Sequence, residues 1–337
     1  MVRILIVILT SCLWNHSFAQ EYHITIFGTN LLVTEELRNC CEKQLTSYYS
    51  AYQSGGEVYE EAATNLNDRI KNLNSEFCYT NAYFFKDYVG NIELIVDVVE
   101  RKDSLERLNF RKIDQKPVVA PLELLKKWNE YEELSFTLYQ KGEINDMSCP
   151  VVHCIWSFNH EKLAPYLEFF NKEAQLNSDA LGATLHHDPD ENHRAAAAFL
   201  LVHSGMSDVQ LLDSLYPAIR DPSSLVRNNV LRVIYYIAKK HPEFNYDYKV
   251  IVDALSYPSF TDRNKALVVL RSLPISSMDR ELQKRMVIIL FEILEKKDAH
   301  NYRNAHTVLK NLSGMNYSVD DLELWKQWGQ NEFSLDN

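Results

Sequence analysis

The sequence predicts a mostly α-helical protein, with an α-solenoid in its C-terminal half and a small α+β domain in front of it. One short pattern, an Arg that opens an apolar run after a turn, returns four times between His186 and Trp328, and the arginines are 33, 36 and 40 residues apart. Repeats of this length with two helical segments each are typical of solenoids. Upstream, residues 22–100 follow strand-like and helical patterns in the order β-α-α-β-β, which indicates a compact α+β unit.

Residues 1–19 have the features of a secretory signal peptide. Arg3 precedes an apolar core from Ile4 to Leu9, and the small residues of Ser17-Phe18-Ala19 form the exit. We expect cleavage after Ala19 and an exported mature protein, in a periplasm or secreted. Leu9-Thr10-Ser11-Cys12 also resembles a bacterial lipobox, so a membrane-anchored lipoprotein with a lipid on Cys12 is the alternative. No later run approaches the ~20 apolar residues of a membrane span, so we expect no transmembrane span in the mature chain.

The charge balance bears on the partner. The chain has 35 basic and 46 acidic side chains and a net charge of −11 at pH 7. Because contacts to phosphates need a basic surface, this balance disfavours nucleic-acid binding. The acidity is expected to keep an exported protein soluble or to attract a basic partner. We therefore expect another protein as the partner.

The N-terminal unit is assigned to residues 20–103. Tyr22 to Phe27 is strand-like, and two helical stripes follow on either side of Gly55-Gly56. The stretch from Ile92 to Val98 alternates with Glu93 and Asp97, as a half-buried strand of a hairpin does.

The element order, with Ile24-x-Ile26-x-Gly28-x-Asn30 at the start and Val98-Val99-Glu100 at the end, resembles a POTRA domain. POTRA domains are modules of outer-membrane assembly and secretion proteins, and the resemblance implies binding by strand addition at a sheet edge. Ala82 stands before Tyr83 where these domains commonly have a glycine. A ferredoxin-like or other unrelated α+β domain is the alternative.

Residues 104–157 connect the two parts. Pro117 and Pro121 interrupt a charged segment, and Leu122 to Tyr139 returns to a helical pattern with Leu125 and Trp128 toward a core. We interpret this helix as a lead-in to the repeats, and a degenerate first repeat is a further interpretation.

The repeats with their closing helix are assigned to residues 158–330. The turns Asp188-Pro189 and Asp221-Pro222 have the residue types of a helix start, with aspartate as N-cap and proline as first helical residue. With the arginines that follow, they resemble HEAT repeats in the form also found in phycobilisome-lyase-like proteins. The third turn, Tyr257-Pro258, lacks the aspartate, and Asp262 replaces the usual valine before its arginine.

In that family the aspartate and the arginine usually form a structural ladder between adjacent repeats. The resemblance therefore implies a role in packing for Asp188, Arg194, Asp221, Arg227, Arg263 and Arg303. The tail with Trp325 and Trp328 resembles the Trp-x-x-Trp helix that often closes such arrays, and a closing helix needs one apolar and one polar face.

The cysteines fit an exported protein. We predict a disulfide between Cys149 and Cys154, which a short loop would allow, and a further candidate bridge between Cys41 and Cys78 with Cys40 free. The alternative is that some of them are buried thiols.

No residue pattern predicts catalysis. The chain has no glycine-rich phosphate loop, no Gly-x-Ser-x-Gly and no His-Glu-x-x-His. His186, His187 and His193 are the weak candidates for a zinc or copper site, but their spacing matches no recurring site and a turn before a helix explains them. We therefore predict neither a metal nor a cofactor.

Together these features predict an exported, non-enzymatic scaffold of the cell envelope that binds another protein. Two alternatives stay open: a lyase or isomerase that acts on a bound cofactor, suggested by the form of the repeats, and an envelope metal-binding protein.

Overall fold

The computed structural model describes residues 22–55, 58–87, 90–114, 118–152, 154–298 and 300–335. The predicted signal peptide, residues 1–19, and the lipobox Cys12 lie outside the described residues. Within these ranges the protein is mostly helical, with 14 α-helices and one three-stranded sheet. The helices of the described part are all too short or too polar to cross a membrane.

The sheet consists of β1 (Tyr22–Phe27), β2 (Phe77–Lys86) and β3 (Ile92–Glu100), in the spatial order β1-β3-β2. The first strand runs parallel to β3, and β2 runs antiparallel to it as a hairpin. Two helices, α1 (Thr34–Ser54) and α2 (Val58–Lys71), connect β1 to β2. The observed order is therefore β-α-α-β-β, as the sequence predicts.

The sheet is covered on both faces. One face packs on α1 and α2 through a cluster that includes Leu45, Leu66 and Val96. The other face packs on the helical part, so β3 is buried along nearly its whole length. The sequence predicts that one face of this strand is exposed, and this is wrong: Asp97, on the predicted exposed face, is 1% exposed.

Twelve helices follow the sheet: α3 (Ser104–Arg107), α4 (Leu122–Gln140), α5 (Ala164–Leu176), α6 (Ser178–His187), α7 (Glu191–Leu200), α8 (Asp208–Leu215), α9 (Ser224–Lys240), α10 (Tyr248–Ser256), α11 (Phe260–Leu270), α12 (Arg280–Glu295), α13 (Tyr302–Ser313) and α14 (Leu322–Phe333). In space, α7, α9, α11 and α13 lie side by side in that order. Each also packs on a preceding helix: α6 on α7, α8 on α9, α10 on α11 and α12 on α13. At the two ends of this arrangement, α4 covers α7 and α14 packs on α12.

One apolar core runs through the helical part. It extends from Leu124 in α4 to Phe333 in α14, and it includes Phe27 at the end of β1. The four consecutive alanines of α7, residues 195–198, are all buried. Their small side chains let the neighbouring helices approach α7 closely. The N-terminal sheet therefore shares its last β1 side chain with the core of the helices.

The helix starts differ from the sequence prediction by two residues. The N-cap of α7 is Asp190, whose side chain accepts from Asn192 N–H, and the N-cap of α9 is Ser223. Asp188 and Asp221 lie two residues earlier, and each accepts from the N–H of the residue two positions on, at 2.8 and 2.9 Å. This bond uses only Oδ1 of each carboxylate, so Oδ2 stays available for another donor.

Candidate functional site

Two of the predicted repeat arginines bind aspartates of the next helix pair. Arg194 donates from Nε and Nη2 to Asp221 Oδ2 and Oδ1, at 2.9 and 2.8 Å. Arg227 donates from the same two nitrogens to Asp262 Oδ2, at 2.9 and 2.6 Å. Each arginine also donates from Nη1 to a carbonyl of its own turn, Asp188 O and Asp221 O respectively. Each guanidinium therefore ties its own turn to the next one with charge-assisted hydrogen bonds.

Asp262 replaces the aspartate that the third turn lacks. It lies in the first turn of α11, where its N–H donates to the hydroxyl of the N-cap Ser259 at 3.4 Å. Its side chain is fully buried and reaches Arg227 from inside the helix. In the sequence Asp262 is a departure from the usual valine, whereas in the structure its carboxylate binds Arg227 in place of the missing aspartate.

The third arginine of the series binds a residue of the N-terminal sheet. Arg263 donates from Nη1 to Asp97 Oδ1 of β3 at 2.6 Å, and its Nε lies 3.5 Å from Asp298 Oδ2. Its Cζ also lies 3.9 Å from the centre of the Phe27 ring, a favourable position for a cation over an aromatic face. Arg263, Asp97 and Asp298 are all buried. The series of pairs therefore continues from the helices into the N-terminal sheet.

A second arginine strengthens this junction. Arg107 donates from Nε to Ser256 O at 2.9 Å and from Nη1 to Val98 O at 2.6 Å, which links α10 to β3. Gly28 lies directly beside it with φ +86°, and a Cβ there would collide with the Arg107 guanidinium and the Val98 carbonyl oxygen. Gly28 N–H donates to Glu292 Oε1 of α12 at 2.9 Å. Sequence reasoning missed Arg107, which lies in a charged segment without a recognisable pattern.

Burial and pairing act in opposite directions on these groups. Burial raises the pKa of Asp97, and the guanidinium of Arg263 opposes that shift. Burial likewise raises the pKa of Asp262, against the effect of Arg227. Burial would lower the pKa of Arg263, but the carboxylates of Asp97 and Asp298 raise it above its ordinary value. Each ion therefore depends on its partner to stay charged inside the protein.

Arg303 lies apart from this pattern. It was predicted to share the packing role, yet its side chain is exposed and donates from Nε to the hydroxyl of the neighbouring Tyr302 at 3.0 Å. The turn after α13 leads to α14, which begins after Asp321, and that aspartate accepts from Ser318 N–H instead. Among the described residues, Arg303 thus bonds a neighbouring hydroxyl where Arg194 and Arg227 bond buried carboxylates.

The histidine cluster before α7 is held by charged neighbours. His193 Nδ1 lies 3.2 Å from Asp188 Oδ2, and His186 Nδ1 lies 3.2 Å from a guanidinium nitrogen of Arg111. Arg111 also pairs with Asp221 at 2.6 Å. Burial, and then Arg111, lower the pKa of His186 to about 4. Within the described residues, no three His, Cys, Asp or Glu side chains are grouped so that they could hold a metal ion.

The cysteines form one disulfide in the described residues. Cys149 and Cys154 are bonded, with their Cα atoms 5.7 Å apart. Cys41 and Cys78, the other candidate bridge, are free thiols, as is Cys40. The reason lies in their positions, since Cys41 is buried in the face of α1 and Cys78 Sγ donates to Val99 O at 3.3 Å.

The two tryptophans of the closing helix are buried. Trp325 is 0% exposed and donates from Nε1 to Ser318 O at 2.9 Å. Trp328 meets it edge to face, with ring centres 6.1 Å apart. Next to them, a Cβ on Gly329 would collide with the ring of Phe291, so the glycine lets α14 approach α12 closely.

An open groove lies where the N-terminal unit meets the last helices. It has a volume of about 980 Å³ and runs between the β2–β3 hairpin, α11, α13 and the segment before α14. We call it the hairpin groove. Its charged lining includes Asp87, Lys265, Arg271, Lys297, Arg303 and Asp320.

No protein-family model matches the chain, and no curated protein or solved structure matches it either. The HEAT-like and POTRA-like resemblances, which depend on short residue patterns, therefore stay predictions. The function has to be inferred from the side chains themselves.

Proposed function

We propose that the protein is a non-enzymatic interaction scaffold of the cell envelope, in which a HEAT-like α-solenoid holds a POTRA-like domain in a fixed position. The observation that carries this proposal is the series of buried pairs Arg194–Asp221, Arg227–Asp262 and Arg263–Asp97. The hydrogen bonds of these arginines go to aspartates and to backbone carbonyls of neighbouring elements. We therefore assign them the role of fixing the helices and the sheet relative to one another. A fixed arrangement presents a preformed surface, which lowers the entropic cost of binding a partner.

The HEAT-like architecture is supported by the way the pairs recur. The arginines of the first two pairs are 33 residues apart, and each reaches forward to the turn or first helical turn of the following unit. Neither helix of a unit covers its own apolar stripe, so each depends on its neighbours. The POTRA-like reading is supported by the β-α-α-β-β order and by the sheet order β1-β3-β2.

Strand addition, which the POTRA resemblance implies, is not the binding mode that we propose. At the outer edge of β2, the backbone of Ala82 is already engaged: its N–H donates to Asn67 Oδ1 at 2.7 Å, and its carbonyl accepts from Tyr48 Oη at 3.2 Å. A strand added there would have to displace both side chains. We instead assign partner binding to the hairpin groove, which both halves of the chain line.

The envelope location follows from residues 1–19, whose pattern is that of a signal peptide. Fractionation of the native host, followed by N-terminal sequencing, tests this part. We expect the mature chain to begin at Gln20 in the exported fraction. A chain that retains Met1 in the cytoplasmic fraction would overturn it.

A crosslinking pull-down from the native envelope, with the full mature chain as bait, tests the scaffold function. We expect reproducible capture of a specific protein and no coloured or metal-bearing species in the purified bait. Absorbance spectra and elemental analysis of the same preparation provide the second readout. Failure to capture a protein, together with a co-purifying chromophore or metal, would favour the lyase or the metal-binding alternative.

A further inference from the structure

The basic side chains of the hairpin groove have neutral partners. Lys265 Nζ donates to Asn264 Oδ1 at 3.2 Å, and Arg271 Nη1 donates to Asn304 Oδ1 at 2.8 Å. Arg303 donates to a tyrosine hydroxyl. An asparagine oxygen has the geometry of a carboxylate oxygen without its charge. In this groove, amides thus lie where carboxylates would neutralise the cations.

Several other basic side chains of the helical part meet carboxylates, whereas Arg232 and Lys310 bond asparagine oxygens as the groove cations do. Arg220 and Arg285 both bind Asp253, at 2.8 and 2.6 Å, and Lys240 binds Asp208 at 2.9 Å. By contrast, no ion pair within 4.0 Å involves Lys265, Arg271, Lys297 or Arg303 in the part of the chain that the structure describes. The groove therefore concentrates unneutralised positive charge on a chain whose net charge is −11.

The acidic side chains of the groove do not offset this charge by pairing. Asp87 accepts from Asn91 N–H and Nδ2 at 2.8 and 3.0 Å, and Glu295 is paired with Lys326 outside the cation cluster at 3.4 Å. Three acids, including Asp320, face four cations along the lining. The net charge of these seven lining side chains is therefore +1, and the partner of Asp87 in its two hydrogen bonds is a neutral amide.

The field at Lys265 has the same sign. Burial, and then the guanidinium of Arg232 on α9, lower the pKa of Lys265 to about 8. Burial also lowers the pKa of Arg232. Burial lowers the pKa of His300, before α13, the carboxylate of Asp298 opposes that shift, and Lys265 adds to it as a smaller cause. The charged groups around Lys265 thus include Arg232 on α9, while Asp298 acts on His300 and Glu132 of α4 acts on Arg232. An added negative charge would relieve the repulsion between Lys265 and Arg232.

We propose that the hairpin groove binds an acidic peptide segment of a partner protein, with its carboxylates on Lys265 and Arg271. The proposal rests on the scaffold function above and names the chemistry of the partner. A groove of about 980 Å³ is at the upper end of ligand-site volumes, which suits a short extended segment. A nucleic acid is disfavoured, because its phosphates extend along the whole strand and would also be repelled by the acidic surface outside the groove.

Fluorescence anisotropy with labelled hexaglutamate, and hexaglutamine as the uncharged comparison, tests the proposal on the full mature chain. We expect salt-dependent binding of hexaglutamate alone. Lys265→Gln/Arg271→Gln should weaken it at least about tenfold, because two charge-assisted pairs with glutamate carboxylates are lost. Lys43→Gln/Lys239→Gln changes the net charge equally at two exposed positions and should alter affinity less than about twofold.

A pH series separates Lys265 from the other cations. Because its pKa is about 8 in the free protein, Lys265 loses its proton above that pH, and affinity for hexaglutamate should fall several-fold from pH 7.5 to pH 9. Lys265→Arg stays charged throughout and should bind with little change over the same range. A wild-type affinity that is constant with pH would remove Lys265 from the site.

The outcomes distinguish this inference from the scaffold function. Equal binding of hexaglutamate and hexaglutamine, or full binding by the double variant, would overturn the acidic-segment proposal. A single-stranded oligonucleotide that competes better than hexaglutamate would replace the peptide by a nucleic acid. If the pull-down still captures its partner with Lys265→Gln/Arg271→Gln as bait, the scaffold stands and the groove is not its binding surface. If capture fails with wild type as well, the scaffold function itself is wrong.

Discussion

Arg263 of α11 donates to Asp97 of β3 across 2.6 Å, between residues that are 166 positions apart in the chain. The same guanidinium covers the ring of Phe27 and lies 3.5 Å from Asp298. One side chain thus joins the N-terminal sheet, the helix that carries it and the turn before α13. The orientation of the two halves of the protein depends strongly on this contact.

Replacing Asp97 by alanine is expected to lower the free energy of unfolding by about 3–5 kcal/mol, because it leaves the buried Arg263 with one more distant carboxylate. Urea denaturation followed by tryptophan fluorescence measures the change. Asp68→Ala, which removes an exposed carboxylate from α2, serves as the control and should change stability by less than about 0.5 kcal/mol.

The double variant Asp97→Leu/Arg263→Met tests whether the two residues act as a pair. The double variant should lose less stability than Asp97→Leu and Arg263→Met do together, because each single variant leaves the other member of the pair buried and unpaired, and the loss of the guanidinium beside Asp298 is common to both Arg263→Met proteins. Losses that simply add up in a double-mutant cycle would show that the two charges are not coupled.

The repeat arginines are expected to differ sharply in their effect on stability. Arg227 is 3% exposed, binds Asp262 and lies 4.5 Å from the centre of the Phe110 ring, whereas Arg303 is exposed. Arg227→Ala should therefore lower the melting temperature by roughly 10 °C, and Arg303→Ala by less than about 2 °C. Differential scanning calorimetry decides this, with Lys239→Ala as the exposed control. Equal shifts for Arg227→Ala and Arg303→Ala would contradict the structural role of the buried pairs.

Most of the fold prediction depended on patterns among residues close in the sequence. Helical periodicity and turn residues identified the β-α-α-β-β order and the position of Arg194 and Arg227, because these depend on residues close in the chain. The role of Asp97 could not be found in this way, since its alternation with Val96 and Val98 is the same whether solvent or a distant helix covers its face. The burial of the face that carries Asp97 depends on its contact with Arg263, 166 positions later in the chain.

The same limit explains the candidate groove. Lys265 lies within the apolar run that follows Arg263, Arg271 lies directly after that run, and nothing local distinguishes them from other surface cations. Their significance comes from Asn304, which the fold brings to Arg271 from α13, and from the cavity that both cations line. The predicted bridge between Cys41 and Cys78 is absent from the described residues for a related reason. Helix periodicity indicates which face of α1 carries Cys41, but it does not indicate which strand residue that face contacts.

The cysteines lead to a count that can be checked by mass. The described residues hold one disulfide, Cys149–Cys154, and the free thiols Cys40, Cys41 and Cys78. A mature chain without residues 1–19 should therefore bind three equivalents of a thiol reagent when denatured, and five after reduction. Intact-mass measurement of protein from its native compartment tests this. Five reactive thiols before reduction would show that the disulfide is absent there.

Reduction of the disulfide should have a modest effect on stability. The bond closes a loop with a sequence separation of 5, and a loop this short accounts for about 2 kcal/mol in the chain-entropy relation. Cys149→Ser/Cys154→Ser should lower the free energy of unfolding by about this amount, measured by urea denaturation. Cys40→Ser, at an exposed thiol, is the control and should change it by less than about 0.5 kcal/mol.

His203 is expected to make the protein less stable in acid. Its ring is 3% exposed, its Nδ1 lies 2.7 Å from Asn171 Oδ1, and the Phe158 and Phe170 rings pack against it. Burial lowers the pKa of His203 to about 4, whereas an unfolded histidine has a pKa of about 6.5. Between these values the unfolded chain binds a proton that the folded protein does not. The free energy of unfolding should therefore fall by about 3 kcal/mol from pH 6.5 to pH 4 on account of this group.

Comparison with His203→Gln isolates this contribution, because His186 and the buried acids titrate in both proteins. The variant loses the ring contacts and should be less stable at pH 7.5, but the difference from wild type should shrink as the pH falls toward 4. Urea denaturation at half-unit pH intervals measures it, and His23→Gln, at a histidine whose side chain is 65% exposed, provides the control. If the difference between wild type and His203→Gln stays constant over this range, the folded protein must accommodate a charged His203 and the burial argument is wrong.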